Sequence, residues 1–443
     1  MSLPQELRHA LSAFTSVAID HIKNPNHTHE TPTERALWVP TLESTNIWSF
    51  AEQTYPWWWN LLANSLMSLS KSAEYQLCEH LMQTTEAVAR HLDKLIVIGS
   101  TGQRFDVPNC LLKFVAYQLK DMKIPVFETG QFEHTFRDFE EFIANDVVDF
   151  EGWIPLEHLS CQHLPIQFTS LVRLMDSLVV TDCAGKQKKV RGNPVVYCEW
   201  QEAKLMNCDP TTRSLTEKKT IGSQIVMSLH LLKEGRVRAD GIFARPKRWT
   251  PIWSNFIVKS PGVWTPAPPL YEFREEEVNE VQIIRQQLVT LNEQLFKSLA
   301  LALRRYEIAQ KRVDPGDRLI DQMIAFEALY LADEGGAEKA FRLALRTAFL
   351  LERGEVRKVV YETMKQAYSI RSSIVHGADP KLPKGAGVQM SLSDFSKLTE
   401  DYLRRSLRRF LDLAQRPKAR NPLVNWDDLL FPNSSGEAYN LAE

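Results

Sequence analysis

The sequence predicts an α+β domain over residues 1–260, followed by an all-helical bundle over residues 275–415. Before residue 260, short apolar runs that suit strands alternate with helical patterns, whereas after residue 275 apolar side chains recur every three or four residues. The linker between them, residues 261–274, is rich in proline, which excludes both a helix and a central strand. Residues 416–443 are rich in Pro and Asn and are predicted to be an irregular tail.

The composition is that of an ordinary globular protein. The 443 residues allow two or three domains, and a net charge of −2 means that any nucleic-acid-binding surface requires local clustering of cations. No run of about 18 apolar residues occurs, so no membrane span is predicted. The six cysteines and the lack of a signal-peptide pattern predict a reduced, cytoplasmic protein with free thiols.

The N-terminal domain combines amphipathic helical patterns with short β-branched runs bounded by turn residues. The predicted helices cover residues 4–22, 57–92, 111–122 and 136–145, and the predicted strands cover residues 95–98, 125–128, 178–181, 194–200, 224–232 and 241–244. The possible metal ligands of this domain are His158, Cys161, His163, Cys183, Cys198 and Cys208. They contain no C-x-x-C pair, so neither a metal nor another cofactor is predicted.

The C-terminal bundle is predicted to contain five helices. They cover residues 275–311, 317–332, 338–353, 356–376 and 391–415. Asp317 is a plausible N-cap of the second helix, and Ser391 with Asp394 resembles a capping box at the start of the fifth. Gly377, followed by Pro380, ends the fourth helix in the order typical of helix C-termini.

Arg371 and His376, near the end of the fourth helix, are the candidate catalytic residues. A histidine transfers protons near neutral pH, and an arginine binds a phosphate through its forked donors. Together they can cleave RNA without a metal, with His376 acting on the ribose 2′-OH or the leaving oxygen and Arg371 stabilising the charged phosphorane.

The spacing of the pair sets a geometric condition. Five positions on an ideal helix turn through roughly 500°, so the two side chains point about 140° apart. One straight helix therefore does not direct Arg371 and His376 at the same atom. Either the long arginine bends round the helix, or a second copy of the motif faces the first across a dimer.

The order of the helices around this motif resembles the HEPN superfamily and, within it, the Apea-like branch found in bacterial defence proteins. The similar segments are DRLIDQMIAFEALYL, AFRLALRTAFLLE and MKQAYSIRSSIVHGAD, so the resemblance covers residues 314–379 well and the flanking helices loosely. The residues that carry it are Glu327, Arg342, Arg346, Tyr368, Arg371, His376 and Gly377.

The resemblance implies a bundle that forms a homodimer, with the R-x-x-x-x-H motif of each protomer lining a shared cleft. It also implies metal-independent RNA cleavage in anti-phage defence, abortive infection or a toxin system, with Arg371 and His376 as catalytic residues. One departure is Ser372, since active members often place Asn, Asp or His directly after the arginine. A hydroxyl can still orient a phosphate, but some HEPN proteins bind without cutting.

Further residues of the bundle are candidates for supporting roles. Glu327 lies in an apolar helix and is expected to be buried and paired with Arg346 or Arg371, either to hold Arg371 in place or as a purely structural ion pair. The fifth helix carries an arginine stripe opposite its apolar face, which predicts either an RNA-binding track or an ordinary solvated helix face. This stripe consists of Arg404, Arg405, Arg408 and Arg409.

The sequence therefore predicts an endoribonuclease that acts on RNA as a homodimer and uses no cofactor. The N-terminal domain is expected to restrain the nuclease and to respond to a trigger, either phage-derived or another protein. The alternative hypothesis is a non-catalytic HEPN module for dimerisation and for binding a nucleic acid or a protein. A catalytic N-terminal domain is a third possibility, for which no carboxylate pair, metal motif or nucleophile triad is found.

Overall fold

A computed structural model shows a mostly helical chain with a smaller region of antiparallel strands. The structure describes residues 2–23, 34–35, 53–54, 57–98, 101–119, 122, 124–161, 164–169, 172–175, 178–181, 187–190, 194–206, 215–239, 242–251, 256–258, 270–332, 338–385, 388–417, 419–420 and 422–430. Among these residues, no helix has the length and apolar character needed to cross a membrane.

The chain divides into two compact units. The first consists of Met1–Gly222 and Arg238–Gly262, and the second of Ser223–Val237 and Val263–Glu443. The second unit thus contains a segment that precedes the proline-rich linker, whereas the sequence predicts a boundary at that linker. We call the second unit the helical unit.

The first unit begins with helices. These are α1 (Gln5–Lys23), α2 (Trp57–Leu69), α3 (Ala73–Thr84), α4 (Glu86–Ala89), α5 (Val107–Leu119) and α6 (Thr129–Ala144). Helix α7 (Leu215–Leu232) follows later in the chain and is divided between the units, with its residues from Ser223 onward in the helical unit. The predicted continuous helix over residues 57–92 is wrong, because Ser72 starts a new helix by accepting a hydrogen bond from the Tyr75 N–H at 3.1 Å. The predicted helix over residues 4–22 is confirmed by α1.

The strands of the first unit pair in antiparallel fashion. They are β1 (Glu34–Arg35), β2 (Gln53–Thr54), β3 (Leu95–Ile98), β4 (Thr101–Arg104), β5 (Val147–Glu157), β6 (Leu159–Cys161), β7 (Ile166–Thr169), β8 (Val172–Met175), β9 (Leu178–Thr181), β10 (Gln187–Val190), β11 (Val195–Met206), β12 (Arg238–Ala239), β13 (Ile242–Pro246) and β14 (Phe256–Val258). One sheet has the order β1-β2-β10-β9. The other has the order β14-β13-β5-β11-β3-β4, with β12 on β5, and β8 joining β7 to β11.

Two strand predictions are wrong and one long strand was not predicted. Residues 125–128 are irregular, and residues 224–232 belong to α7. In this part of α7, Ile225, Leu229 and Leu231 are almost completely buried. An apolar run that is buried on several sides shows no periodicity from which the sequence could distinguish a helix from a strand. The long strand that was not predicted is β5. Acidic residues lie among its apolar residues, so its sequence shows no clear alternation of apolar and polar positions.

The helical unit contains the rest of the described elements. They are β15 (Tyr271–Phe273), a 3-10 turn (Glu275–Glu277), α8 (Val278–Thr290), α9 (Lys297–Lys311), α10 (Pro315–Tyr330), α11 (Lys339–Leu351), α12 (Val356–Val375), β16 (Lys384–Gly385), β17 (Val388–Gln389), α13 (Leu392–Ala414) and α14 (Trp426–Leu430). Helix α10 is central, since it packs against α9, α11, α12 and α13.

Three details of the helical unit differ from the sequence predictions. The sequence predicts one helix over residues 275–311, but the structure has two, α8 and α9. Between them, the Asn292 side chain accepts a hydrogen bond from the Leu295 N–H at 3.1 Å, which interrupts the helical backbone. Asp314, not Asp317, caps α10, with its Oδ1 accepting the Gly316 and Asp317 N–H groups. The predicted irregular tail contains α14, whose Trp426 is buried against the ring of Tyr330.

The segment Ser223–Val237 is part of the core of the helical unit. Met227 and Leu231 belong to the same hydrophobic cluster as α9–α13. The Tyr306 hydroxyl donates to the His230 carbonyl oxygen at 2.9 Å, which ties α7 to α9. Lys233 forms an ion pair with Glu277 at 2.6 Å.

Candidate functional site

Helix α12 ends in a fully formed C-terminal cap. Gly377 adopts φ +70°, its N–H donates to the Ile374 carbonyl at 3.0 Å, and the Ala378 N–H donates to the Ser373 carbonyl at 2.9 Å. This pair of bonds is the Schellman arrangement, which requires a left-handed residue directly after the cap residue. The sequence prediction that Gly377 ends this helix is confirmed, and the cap fixes the backbone of His376.

The two candidate catalytic residues differ in exposure. His376 is exposed at the end of α12, and within the described part of the chain its ring makes no hydrogen bond or ion pair. Arg371 is half-buried, and its Nε is enclosed without a hydrogen-bond partner among the described residues. The side chains thus occupy different sides of α12, which agrees with the angle of about 140° expected from helix geometry.

The outer face of α12 is polar and the inner face is apolar. Val360, Met364, Ala367 and Ile370 are buried within the helical unit. On the opposite side, Lys358, Glu362, Lys365, Ser369 and His376 are exposed, and Ser372 is half-exposed. His376 therefore shares its face with lysine and serine side chains, whereas Arg371 lies towards the inner face.

The start of α10 lies next to the last turn of α12. A Cβ added to Gly316 would lie 3.5 Å from the Ile374 side chain, an ordinary contact distance, and only 2.9 Å from the capping Asp314 Oδ1. This packing fixes the end of α12 against a capped helix start. The candidate site is thus built on two supported helix ends rather than on a free loop.

Glu327 and Arg346 do not form the pair that the sequence suggested. Glu327 is half-buried rather than buried, and no ion pair joins it to Arg346 or Arg371 in the part of the chain that the structure describes. Arg346 is buried, donates to the Tyr330 carbonyl at 2.6 Å and stacks its guanidinium 5.0 Å from the Trp426 ring centre. Arg346 therefore has a clear packing role that joins α10, α11 and α14.

The arginines of α13 pair with acidic side chains of the same unit. Arg404 pairs with Asp401, Arg405 with Glu352 at 2.5 Å, and Arg408 with Glu280. Arg409 is half-buried, and burial lowers the pKa of its guanidinium. This stripe, for which the sequence predicts either an RNA-binding track or a solvated helix face, thus contains three cations that would have to leave an intramolecular partner to bind a phosphate.

Sequence reasoning missed a buried polar cluster around Glu400 in α13. Glu400 is 6% exposed and accepts a hydrogen bond from Gln310 at 2.9 Å, and burial raises the pKa of its carboxyl group against the opposing effect of Arg318. The signal that reveals it is its spacing, four residues after Ser396 and three before Leu403, both fully buried.

Among the residues of the first unit that the structure describes, no group of three or more His, Cys, Asp or Glu side chains is arranged to hold a metal ion. His158 and Cys161 lie at the end of β5 and in β6, and Cys198 is buried in β11. The remaining residues of the set considered from the sequence, His163, Cys183 and Cys208, lie outside the described residues. Of the described cysteines, Cys78, Cys110, Cys161 and Cys198, none is part of a disulfide.

Comparisons with known proteins give no match: no family model, no curated protein and no solved structure is similar to this chain. The resemblance to the HEPN superfamily therefore rests on the motif residues of this sequence.

Proposed function

We propose that the helical unit is a HEPN-type endoribonuclease that acts as a homodimer, with His376 and Arg371 as catalytic residues and no metal ion. The observation that carries this proposal is the end of α12. A complete helix cap holds His376 in a fixed backbone position and leaves its ring exposed. An imidazole that is fixed yet accessible is suited to proton transfer with an external substrate.

The reaction is a transesterification within the RNA strand. His376 takes the proton from the ribose 2′-OH, and the 2′-oxygen attacks the adjacent phosphorus. The bond from phosphorus to the 5′-oxygen breaks, and the leaving oxygen takes up a proton, which yields a 2′,3′-cyclic phosphate and a 5′-hydroxyl end. Arg371 stabilises the negative charge of the phosphorane through its terminal guanidinium nitrogens.

The dimer is part of the proposal because a single α12 separates the two groups. With Arg371 towards the inner face and His376 on the outer face, a second protomer is needed to surround one phosphate with cations and imidazoles. The placement of this nuclease in anti-phage defence or a toxin system, under restraint by the N-terminal region, rests on the sequence resemblance.

A test of this function is RNA cleavage by the purified full-length chain in the presence of a metal chelator. We expect products with 2′,3′-cyclic phosphate ends, and we expect His376→Ala to lower the rate by about 100-fold or more, the range for loss of a general acid–base group. The variant should fold normally because His376 is exposed, which circular dichroism checks. Equal cleavage by the wild type and by folded His376→Ala would disprove the assignment.

A non-catalytic binding module is the second candidate. It is favoured by Ser372 in the position after Arg371 and by the enclosed Nε of Arg371, which limits its reach to a substrate. This alternative predicts tight RNA binding without cyclic phosphate products. Mass spectrometry of the RNA ends distinguishes the two functions.

A further inference from the structure

Three neighbouring arginines of the helical unit lack an ion-pair partner in the part of the chain that the structure describes. Arg353 lies in the turn between α11 and α12, Arg409 lies in α13, and Arg416 follows the end of α13. Arg353 and Arg416 are exposed, and Arg409 is half-buried. They differ in this from Arg405 and Arg408, which are paired with acids. Their charges are therefore available to an external anion.

The turn that carries Arg353 is held against α13. The Arg405 guanidinium donates to the Leu351 carbonyl oxygen at 3.3 Å and to the Glu352 carboxylate at 2.5 Å. Arg353 directly follows Glu352, so it lies beside the same stretch of α13. Arg409 is one helical turn beyond Arg405 on that side of α13. This arrangement brings Arg353 and Arg409 together.

The end of α13 adds the third charge. Arg416 follows Arg409 by two helical turns, or about 10 Å along the helix axis, and its N–H donates to the Leu413 carbonyl oxygen at 3.2 Å. Burial lowers the pKa of the Arg409 guanidinium, and Asp412 opposes this effect. The charges of Arg416 and Arg353 lower that pKa further. The three arginines are thus close enough to repel one another, and a bound anion would relieve the repulsion.

The nearby acids leave an excess of positive charge. Glu352 is paired with Arg405 at 2.5 Å, and Asp412 already accepts a hydrogen bond at 2.7 Å. Glu355 is exposed in the turn before α12. Asp412 and Glu355 thus stand against the three unpaired arginines and a fourth arginine, Arg357, in the first turn of α12. A surface with this balance attracts anions.

Arg357 also forms a planar stack. Its guanidinium carbon lies 3.8 Å from the centre of the Phe349 ring, and its Nε donates to the Glu352 carbonyl oxygen at 3.1 Å. Both Arg357 and Phe349 are half-buried. The ring covers one face of the guanidinium, and the hydrogen bond restricts the orientation of its plane. Nucleic-acid bases stack on aromatic rings and on arginine planes of this kind.

We infer that single-stranded RNA binds to the surface formed by Arg353, Arg357, Arg409 and Arg416. We call these four residues the distal arginine cluster. The three unpaired arginines contact phosphate groups, and Arg357 with Phe349 receives a base. Cations beside a stacking surface are typical of proteins that bind single strands. That the strand is RNA rests on the proposed function.

The distal arginine cluster lies at the opposite end of α12 from His376. Nineteen residues separate Arg357 from His376, which corresponds to about 28 Å along the helix axis. A stacked strand advances about 3.4 Å per nucleotide, so an RNA needs about eight nucleotides to reach both places. The cluster therefore holds the substrate at a distance from the reacting atoms and favours RNA of at least that length.

The first experiment measures RNA affinity with the full-length chain carrying His376→Ala, which prevents cleavage. The probe is a fluorescent single-stranded RNA of about 20 nucleotides, long enough to reach both ends of α12. Adding Arg353→Gln and Arg416→Gln should weaken binding about 20-fold at about 0.1 M salt and lower the slope of log affinity against log salt by about 1.4. Both side chains are exposed, so the fold should be kept, which circular dichroism checks.

Arg408 provides the matched control, because it lies on the same helix but is paired with Glu280. Arg408→Gln in the same background should change the affinity less than about twofold and leave the salt slope unchanged. If the double variant binds RNA like its parent, or if Arg408→Gln weakens binding as much per charge, the distal arginine cluster is not the RNA-binding surface.

The second experiment separates stacking from charge. Arg357→Lys keeps the charge but loses the planar group, whereas Arg353→Lys alters only a phosphate contact. We expect Arg357→Lys to weaken binding about tenfold with an unchanged salt slope, in the range for one stacked base, and Arg353→Lys to stay within about twofold of the parent. Phe349→Leu keeps an apolar side chain without a ring and should weaken binding like Arg357→Lys. Parental affinity of both Arg357→Lys and Phe349→Leu would overturn the stacking contact.

Cleavage by chains with an intact His376 tests what the cluster contributes to the proposed nuclease. Arg353→Gln/Arg416→Gln should raise KM for the same RNA about 20-fold with a much smaller effect on kcat, because the cluster binds ground state and transition state alike. If the wild type binds RNA through the cluster but does not cleave it, the proposed function fails and the inference stands. If the wild type cleaves RNA and the double variant has the same KM, the inference fails and the proposed function stands.

Discussion

Helices α12 and α13 both carry positive charges along one side, but their surroundings differ. On α13, Arg405 pairs with Glu352 and Arg408 with Glu280, which join the helix to its neighbours. On α12, Lys365 and His376 project from the outer face without a partner among the described residues. The charge pattern of α13 predicts either an RNA-binding track or a solvated helix face, and three of its arginines are paired with acids.

This difference shows what a charge pattern at helical spacing can establish. It identifies which side chains share a face, because 3.6 residues form a turn. It does not identify the acids that other helices place opposite that face. We therefore expect substitutions in the enclosed polar groups of α13 to change stability, and substitutions on the outer face of α12 to change function.

The largest effect is expected at Glu400, the most enclosed acid of α13. Glu400→Ala removes the acceptor of Gln310 and leaves a cavity where a side chain that is only 6% exposed had packed. A buried donor without an acceptor and a cavity of this size together cost about 3–5 kcal/mol. Urea denaturation should show that decrease in the free energy of unfolding.

Glu400→Gln is the matched control. Because burial raises the pKa of the Glu400 carboxyl group, the neutral form is favoured relative to an exposed glutamate, and an amide of the same shape keeps an oxygen for Gln310. We expect a loss of about 1 kcal/mol or less, the value of one altered hydrogen bond. If Ala and Gln destabilise equally, the hydrogen bond to Gln310 is not what makes Glu400 important.

A second prediction contrasts an enclosed histidine with the exposed His376. His91 is 1% exposed, and its Nδ1 lies 2.9 Å from the Ala87 carbonyl oxygen, so that nitrogen carries the proton of a neutral ring. Burial, with smaller effects of Lys204 and Arg90, lowers the pKa of His91 from 6.5 to about 4. Between these values the unfolded chain binds a proton that the folded chain does not, so stability falls as the pH falls through this window.

The expected loss at His91 is about 3 kcal/mol between pH 6.5 and about 4, since each pKa unit corresponds to about 1.4 kcal/mol. The free energy of unfolding of the wild type and of His91→Phe should be measured across this range. The phenylalanine variant keeps the aromatic packing with Phe105 and Phe142 but cannot titrate, so its stability should fall less steeply with acid. If the free energy of unfolding falls equally steeply with pH in the wild type and in His91→Phe, the lowered pKa of His91 is not the cause of the acid sensitivity.

The helix ends were the most predictable part of the structure. Gly377 and Ser391 were identified correctly because capping depends on one backbone conformation or one side-chain oxygen. The partners of charged residues were not predictable, as Glu327 and Glu400 show. Glu327, in an apolar stretch, is half-buried, whereas Glu400, next to an acid and near arginines, is buried through tertiary contacts between α9, α10 and α13.

The contribution of Ser223–Val237 to the helical unit also lay beyond the sequence. The proline-rich linker marks a change of pattern, but it does not show that an earlier helix packs with later ones. Tyr306 makes this link through a carbonyl oxygen of His230, and a hydrogen bond to the backbone leaves no mark on the sequence of the accepting segment.

The smallest effect is expected at the arginine stripe of α13, where Arg408 pairs with Glu280 on a partly exposed surface. Such ion pairs contribute about 0–1 kcal/mol, so Arg408→Ala should lower the free energy of unfolding by no more than that.

The same substitution, Arg408→Ala, should also leave RNA affinity unchanged, because the guanidinium is already paired with Glu280. Affinity is best measured with the inactive His376→Ala background and an RNA of fixed sequence, at several salt concentrations. The number of counterions released on RNA binding is obtained from the salt dependence of the affinity. If Arg408→Ala lowers that number by about one, the guanidinium leaves Glu280 to bind the phosphate backbone, and the side of α13 that carries Arg408 is a contact surface for RNA after all.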